Sequence, residues 1–248
     1  KGGRHKQRCS DRFGTAFAAA PSISQALVLG GWPGARLVRA CPLLRAHCVP
    51  PGGRAMRILI ATDAWRPQIN GVVRTYENLR NALEESGHEV VVLSPSDFMT
   101  LPCPGYREIR LAVPNMRRIS EYVLRSGVEH VHIATEGPIG WATRAICLRY
   151  GIRFTTSFHT RFPEYLETYI GLPASISYHV QRRFHRRSIG TFVATPSLKN
   201  ELERRGFERL MLWARGVDTT LFHPRSNAER NTALPTFLYV GRVSPEKN

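Results

Sequence analysis

Short apolar runs alternate along this chain with segments whose apolar residues recur every three or four positions. Residues 57–62 form a run of the length expected for a buried parallel strand, emptying into a polar loop with Asp63, Pro67, Asn70 and Gly71. A helix then starts at the glycine. Val72, Val73, Tyr76, Leu79, Ala82 and Leu83 fall at helical spacing, and Gly87 sits where a C-terminal cap belongs. The same alternation predicts strands over 89–93, 108–111, 128–134, 153–158, 191–194 and 209–213. Helices are predicted over 115–126, 138–150, 162–169, 174–188 and 196–205, with a Pro-rich loop around 102–105. Strands and helices in this order predict an α/β fold: a Rossmann-like, doubly wound parallel sheet with helices on both faces and ligand loops at its carboxyl edge.

The two ends break the pattern. Residues 1–55 mix Arg, Gly, Pro and Ala with only brief apolar pieces, and the first residue is Lys. They are expected to be disordered or non-native sequence ahead of a natural start at Met56; a basic tail or targeting arm is the other reading. Residues 216–224 are turn-rich, closing a domain predicted over 56–224, and 225–235 read as a polar linker. A fresh strand over 236–240 then runs on to Asn248 with no helix to cover it, as if a second domain were cut off inside 236–248.

Charge divides along the same line. The net charge is +16, and residues 1–55, with nine Lys/Arg and one Asp, hold half of it. The remainder is moderately basic, which suits an anionic ligand or membrane surface, and no aromatic-rich module or DNA-reading motif points to nucleic acid. Five cysteines form no CxxC pair, which fits a reduced, cytoplasmic protein. No apolar run approaches the roughly 20 residues of a membrane span, so any membrane contact is expected to be peripheral.

Candidate chemistry lies at strand ends. Gly71 at a helix N-terminus either lets a phosphate reach backbone N–H groups or merely permits a tight turn, and neither GxGxxG nor GxxxxGK[ST] is present. Thr155 to Tyr165 carries His159, Thr160 and Arg161 out of a strand: His159 is either a structural residue or a donor to a sugar hydroxyl or phosphate, and Arg161 can fork onto an anion. Glu136 follows another strand as a base or hydrogen-bond acceptor, with no second carboxylate to announce hydrolysis. His130 and His132 share a strand face, as packing residues or half a metal site. Arg182 to Arg187 form a basic cluster, a solvated face or a dock for anionic lipid. Arg242 and Lys247 place two cations near a glycine turn, where they can neutralise a diphosphate.

Asn70-Gly71-Val72, the strand-end His159, RGVDTTLFHP from Arg215 to Pro224 and YVGRVSPEKN from Tyr239 together resemble the retaining glycosyltransferases of family 4. IATEGPIGWATR and SFHTRFPEY resemble their bacterial branch of GDP-mannose-dependent α-mannosyltransferases and glycolipid synthases. The resemblance implies a GT-B fold of two facing Rossmann-like domains and a nucleotide diphosphate sugar, GDP-mannose favoured, as co-substrate with no metal or other cofactor. It implies a lipid or glycan acceptor. Gly71, Arg242 and Lys247 would meet the donor diphosphate, and His159 would act catalytically on the transferred sugar. Thr160, Arg161 and Glu136 would lie on the acceptor side. The carboxylates that hold donor sugar and ribose in that family lie beyond Asn248, so this chain alone is expected not to turn over. A non-catalytic membrane- or partner-binding module using the basic helix near Arg182 is the alternative.

Overall fold

The computed structural model describes residues 54–103, 106–125, 127–216 and 237–238. Its main sheet has six strands, all parallel: β1 (Arg57–Ala61), β2 (Glu89–Leu93), β5 (His130–Ile133), β6 (Phe154–Phe158), β7 (Thr191–Val193) and β8 (Leu210–Leu212). Their order is β2-β1-β5-β6-β7-β8. The winding therefore reverses between β1 and β5, and a doubly wound sheet opens its ligand crevice at such a reversal.

Helices cover both faces. α1 (Gly71–Glu85) packs Tyr76 and Leu83 against Ile58 and Ile60 of β1. On the other face α2 (Met116–Arg125), α3 (Pro138–Arg149) and α5 (Ala174–His185) bring Ile119, Val123, Ile139, Ile146 and Phe184 onto Leu59, Ala61, Val131, Ile133 and Phe154. Alternate residues of β1 thus serve opposite cores, as the two-residue period of a strand requires. A third cluster under α5 and α6 (Pro196–Arg204) joins Phe158, Tyr178, Val193, Leu202 and Phe207, and α4 (Phe162–Ile170) precedes α5. Burying a side chain such as Phe184, fully enclosed here, contributes roughly 2 to 3 kcal/mol each.

One expected region differs. β3 (Thr100–Cys103) and β4 (Tyr106–Ala112) pair antiparallel with each other, separate from the main sheet, where a loop around 102–105 and a short strand at 108–111 were predicted. Pro102 reads as loop punctuation, but a two-stranded ribbon has free edges where a residue without N–H is tolerated. The expected tail, linker, second-domain strand, Arg242 and Lys247 lie outside the described residues, except Arg54 and Ala55 of the tail and Phe237 and Leu238 of the strand. No helix among the described residues is long and apolar enough to cross a membrane.

Candidate active site

At the reversal, the loops after β1 and β5 are tied together by Asp63. Its Oδ1 accepts from the Ile139 N–H at 2.8 Å, and its Oδ2 accepts from the Gly140 N–H at 3.2 Å and the Thr135 hydroxyl at 2.9 Å. The Asp63 N–H returns a bond to Thr135 Oγ1 at 2.7 Å. α3 begins at Gly137-Pro138, where no local side chain caps it, so a carboxylate from across the crevice takes the open donors. A Cβ at Gly137 would collide with that carboxyl group, and one at Gly140 with the Thr135 carbonyl. Burial pushes the Asp63 carboxyl up to about 6, against the hydrogen bonds from Ile139, Thr135 and Gly140 that pull it down.

Gly71 opens α1 with a different character. Asn70 Oδ1 accepts from the N–H groups of Val72 and Val73, both at 3.0 Å, and the Asn70 carbonyl accepts from Arg74. An added Cβ at Gly71 meets nothing within 4 Å, and its backbone is not in the left-handed region. The fold therefore does not require glycine at 71, which removes the tight-turn reading.

One turn further along α1, Tyr76 is fully buried and joins this helix to the end of β6. Its hydroxyl lies 2.8 Å from His159 Nε2 and 2.8 Å from His132 Nε2. His159 also packs edge-on to Tyr76 and Trp213, and its Nδ1 accepts from the Arg215 guanidinium at 3.0 Å. Burial first, then Arg215 and His185, lower the His159 pKa to about 3, so the ring is neutral at ordinary pH. His132 Nδ1 and His130 Nε2 share the Thr155 hydroxyl at 2.8 and 2.9 Å. The two histidines do share a strand face, as expected, and are engaged in hydrogen bonds; no metal-holding cluster occurs among the described residues.

The other predicted positions have internal partners. Glu136, nearly buried, meets His185 Nε2 at 3.2 Å, and His185 Nδ1 meets Thr156 Oγ1 at 2.9 Å. Arg161 forks onto Glu201 at 2.7 and 3.3 Å and lies 3.6 Å from Glu164. Thr160 is half-buried beside His159. Arg182 donates to the Arg205 carbonyl at 3.0 Å. The sequence reading thus found Gly71 and His159 at one edge but missed Asp63, Tyr76, His185 and Arg215. An uncapped Gly-Pro helix start was the available sign for Asp63, and a tyrosine at a core position, whose hydroxyl must find a partner, the sign for Tyr76.

These features define a Rossmann-like α/β domain whose carboxyl edge carries, at the reversal of strand order, the Asn70-capped N-terminus of α1 and a neutral histidine. The chain belongs to Glycosyltransferase Family 4, whose model matches residues 69–221. It is 27% identical over 219 residues to a GDP-mannose-dependent alpha-mannosyltransferase of Mycolicibacterium smegmatis, covering 78% of this chain and 58% of the relative. It is 26% identical over 205 residues to a sulfoquinovosyl transferase of Arabidopsis thaliana, covering 73% and 40% respectively. An alpha-monoglucosyldiacylglycerol synthase of Acholeplasma laidlawii is 31% identical over 124 residues, 44% of this chain and 31% of that protein. The chain spans about half the length of the first two relatives, 58% and 40%.

Proposed function

We propose that this chain carries the acceptor-side domain of a retaining glycosyltransferase that moves a hexose from a nucleotide diphosphate sugar to a lipid or glycan hydroxyl. Mannose from GDP-mannose is favoured, because the M. smegmatis relative bears that donor in its name. The carrying observation is Gly71: a glycine the fold does not need, at a helix N-terminus on the crevice edge, with open space where a side chain would stand. Such a position lets a diphosphate come close to the backbone at the start of α1, where the dipole favours negative charge even with the Val72 and Val73 N–H groups capped by Asn70.

In this reading the neutral His159 contacts the transferred sugar. Arg242 and Lys247, beyond the described residues, hold the diphosphate from the facing side and stabilise the charge that builds on it as the glycosidic bond breaks. Thr160 stands on the acceptor side. Arg161 and Glu136 act there through their partners Glu201 and His185, bracing the loops that line the acceptor path. Contact with an anionic membrane at the cytoplasmic face is supported by an exposed stripe on α5, where Ile176 and Val180 continue into Arg183 at helical spacing, with the exposed Arg187 in the turn that follows.

The test is Gly71→Val in the full-length protein. The urea midpoint should stay in place, since the Cβ site is empty, while affinity for the nucleotide sugar falls at least about tenfold as the phosphate approach is blocked. Unchanged donor affinity would remove the role of Gly71, and absence of transfer from any nucleotide sugar to lipid or glycan would sink the reading as a whole.

A further inference from the structure

We infer that Tyr76 is a positioning residue for His159: it pins the imidazole in the Nε2–H tautomer, so that the ring offers the cleft a hydrogen-bond acceptor at Nδ1 and selects a hydroxyl there over a phosphate oxygen. The directions of the bonds follow from one group. A guanidinium only donates, so the Arg215 contact at 3.0 Å makes His159 Nδ1 an acceptor and leaves the ring proton on Nε2. That Nε2–H then donates to the Tyr76 oxygen at 2.8 Å. The phenol has one hydrogen, which His132 Nε2 accepts at 2.8 Å, and the Ser157 hydroxyl, 3.1 Å from the same nitrogen, is left to pair elsewhere.

His132 must then carry its proton on Nδ1 and donate to Thr155 Oγ1 at 2.8 Å, and Thr155 donates onward to His130 Nε2 at 2.9 Å. Every member has a partner of the right kind, from the exposed Arg215 to the interior. Reversing His159 would turn two donors toward each other at Arg215. Tyr76 therefore holds, by accepting the Nε2–H, the tautomer that the Arg215 guanidinium sets. Nδ1, on the exposed side, can receive the hydrogen of Arg215 or of a sugar hydroxyl in its place. It has nothing to offer a diphosphate oxygen.

This deepens the proposed function, resting on the reading that His159 faces the transferred sugar, but the geometry can be tested without activity. In the chain labelled with nitrogen-15 histidine, long-range proton–nitrogen correlation spectra at neutral pH should show His159 as a single Nε2–H tautomer with a proton protected from exchange. An Nδ1–H tautomer, or a rapidly averaged mixture, overturns the inference without any variant. Tyr76→Phe keeps the ring packing and removes the acceptor, so protection of that proton should fall about tenfold, the equivalent of one hydrogen bond. Undiminished protection would remove Tyr76 from the role.

In the full-length protein, Tyr76→Phe should lower kcat more than it raises the KM for the nucleotide sugar, while Ser157→Ala, which leaves the Tyr76–His159 bond in place, should not reproduce that split. A variant raising KM alone would count against positioning. If His159→Ala leaves turnover intact while the tautomer spectra hold, the sugar-contact reading fails and the Tyr76–His159 arrangement stands.

Discussion

Asp63 does for α3 what a local cap does for most helices. With glycine at the cap position and proline after it, the first turn has backbone donors and no nearby oxygen, and the carboxylate that serves Ile139 and Gly140 comes from the loop after β1. Asp63→Ala leaves two buried donors unpaired and should lower the unfolding free energy by about 2 to 4 kcal/mol. Asp63→Asn keeps one acceptor oxygen and should lose about half as much. Denaturant unfolding of both variants decides the matter, and equal small losses would mean that the helix start is satisfied some other way. The residue scale is where the sequence is least legible. His159 can be marked because it leaves a strand, but Asp63 reads only as a polar loop residue, since its partners lie 72 to 77 positions on. Tyr76 is hidden differently: the helical period assigns it to the core, correctly, and says nothing of where its hydroxyl goes.

Among the elements, the strands of the main sheet and the helices around it were legible almost throughout, because a strand buried on both faces needs a continuous apolar run and a covering helix needs a stripe. The ribbon was not, because β3 and β4 pair only with each other and lack that signature. α5 shows how an element can mix both outcomes. Its basic cluster reads in sequence as one block, yet Arg182 donates to the Arg205 carbonyl and to His179 Nδ1, while Arg183 on the helix and Arg187 in the turn after it stay exposed. The exposed arginines of the cluster are the groups that can meet a lipid headgroup. With each basic group contributing roughly 1 kcal/mol at an anionic surface, Arg183→Gln with Arg187→Gln should weaken sedimentation with phosphatidylglycerol vesicles roughly thirtyfold. Arg182→Gln should leave vesicle binding near the unaltered value and lower thermal stability. Equal vesicle binding by the double variant and the unaltered chain would dismiss α5 as a membrane contact.

At the scale of the whole molecule, the face of the sheet under α1 concentrates neutral histidines, and this gives the domain a characteristic response to acid. Burial, with Arg153 adding to it, lowers His130 to about 4; burial lowers His132 well below its ordinary value; and His159 is lowered to about 3. All three bind protons more readily once the chain unfolds. Their contribution to stability is complete above about pH 6.5, the value of a free imidazole, and is lost progressively as pH falls below it. Asp63 runs the other way: its folded value, near 6, exceeds the 3.8 of a free carboxyl, so acidification across that interval favours the folded state. Three histidines against one carboxyl leave a net uptake of about two protons on unfolding near pH 5, a loss of roughly 3 kcal/mol per pH unit. The urea midpoint should therefore fall steeply between pH 6.5 and 4. Replacing His132 by Gln, which keeps a polar partner for Tyr76, should flatten the slope by one proton's worth. A midpoint independent of pH over that interval would show that these imidazoles are not held neutral, and with them would go the directional chain from Arg215 to His130.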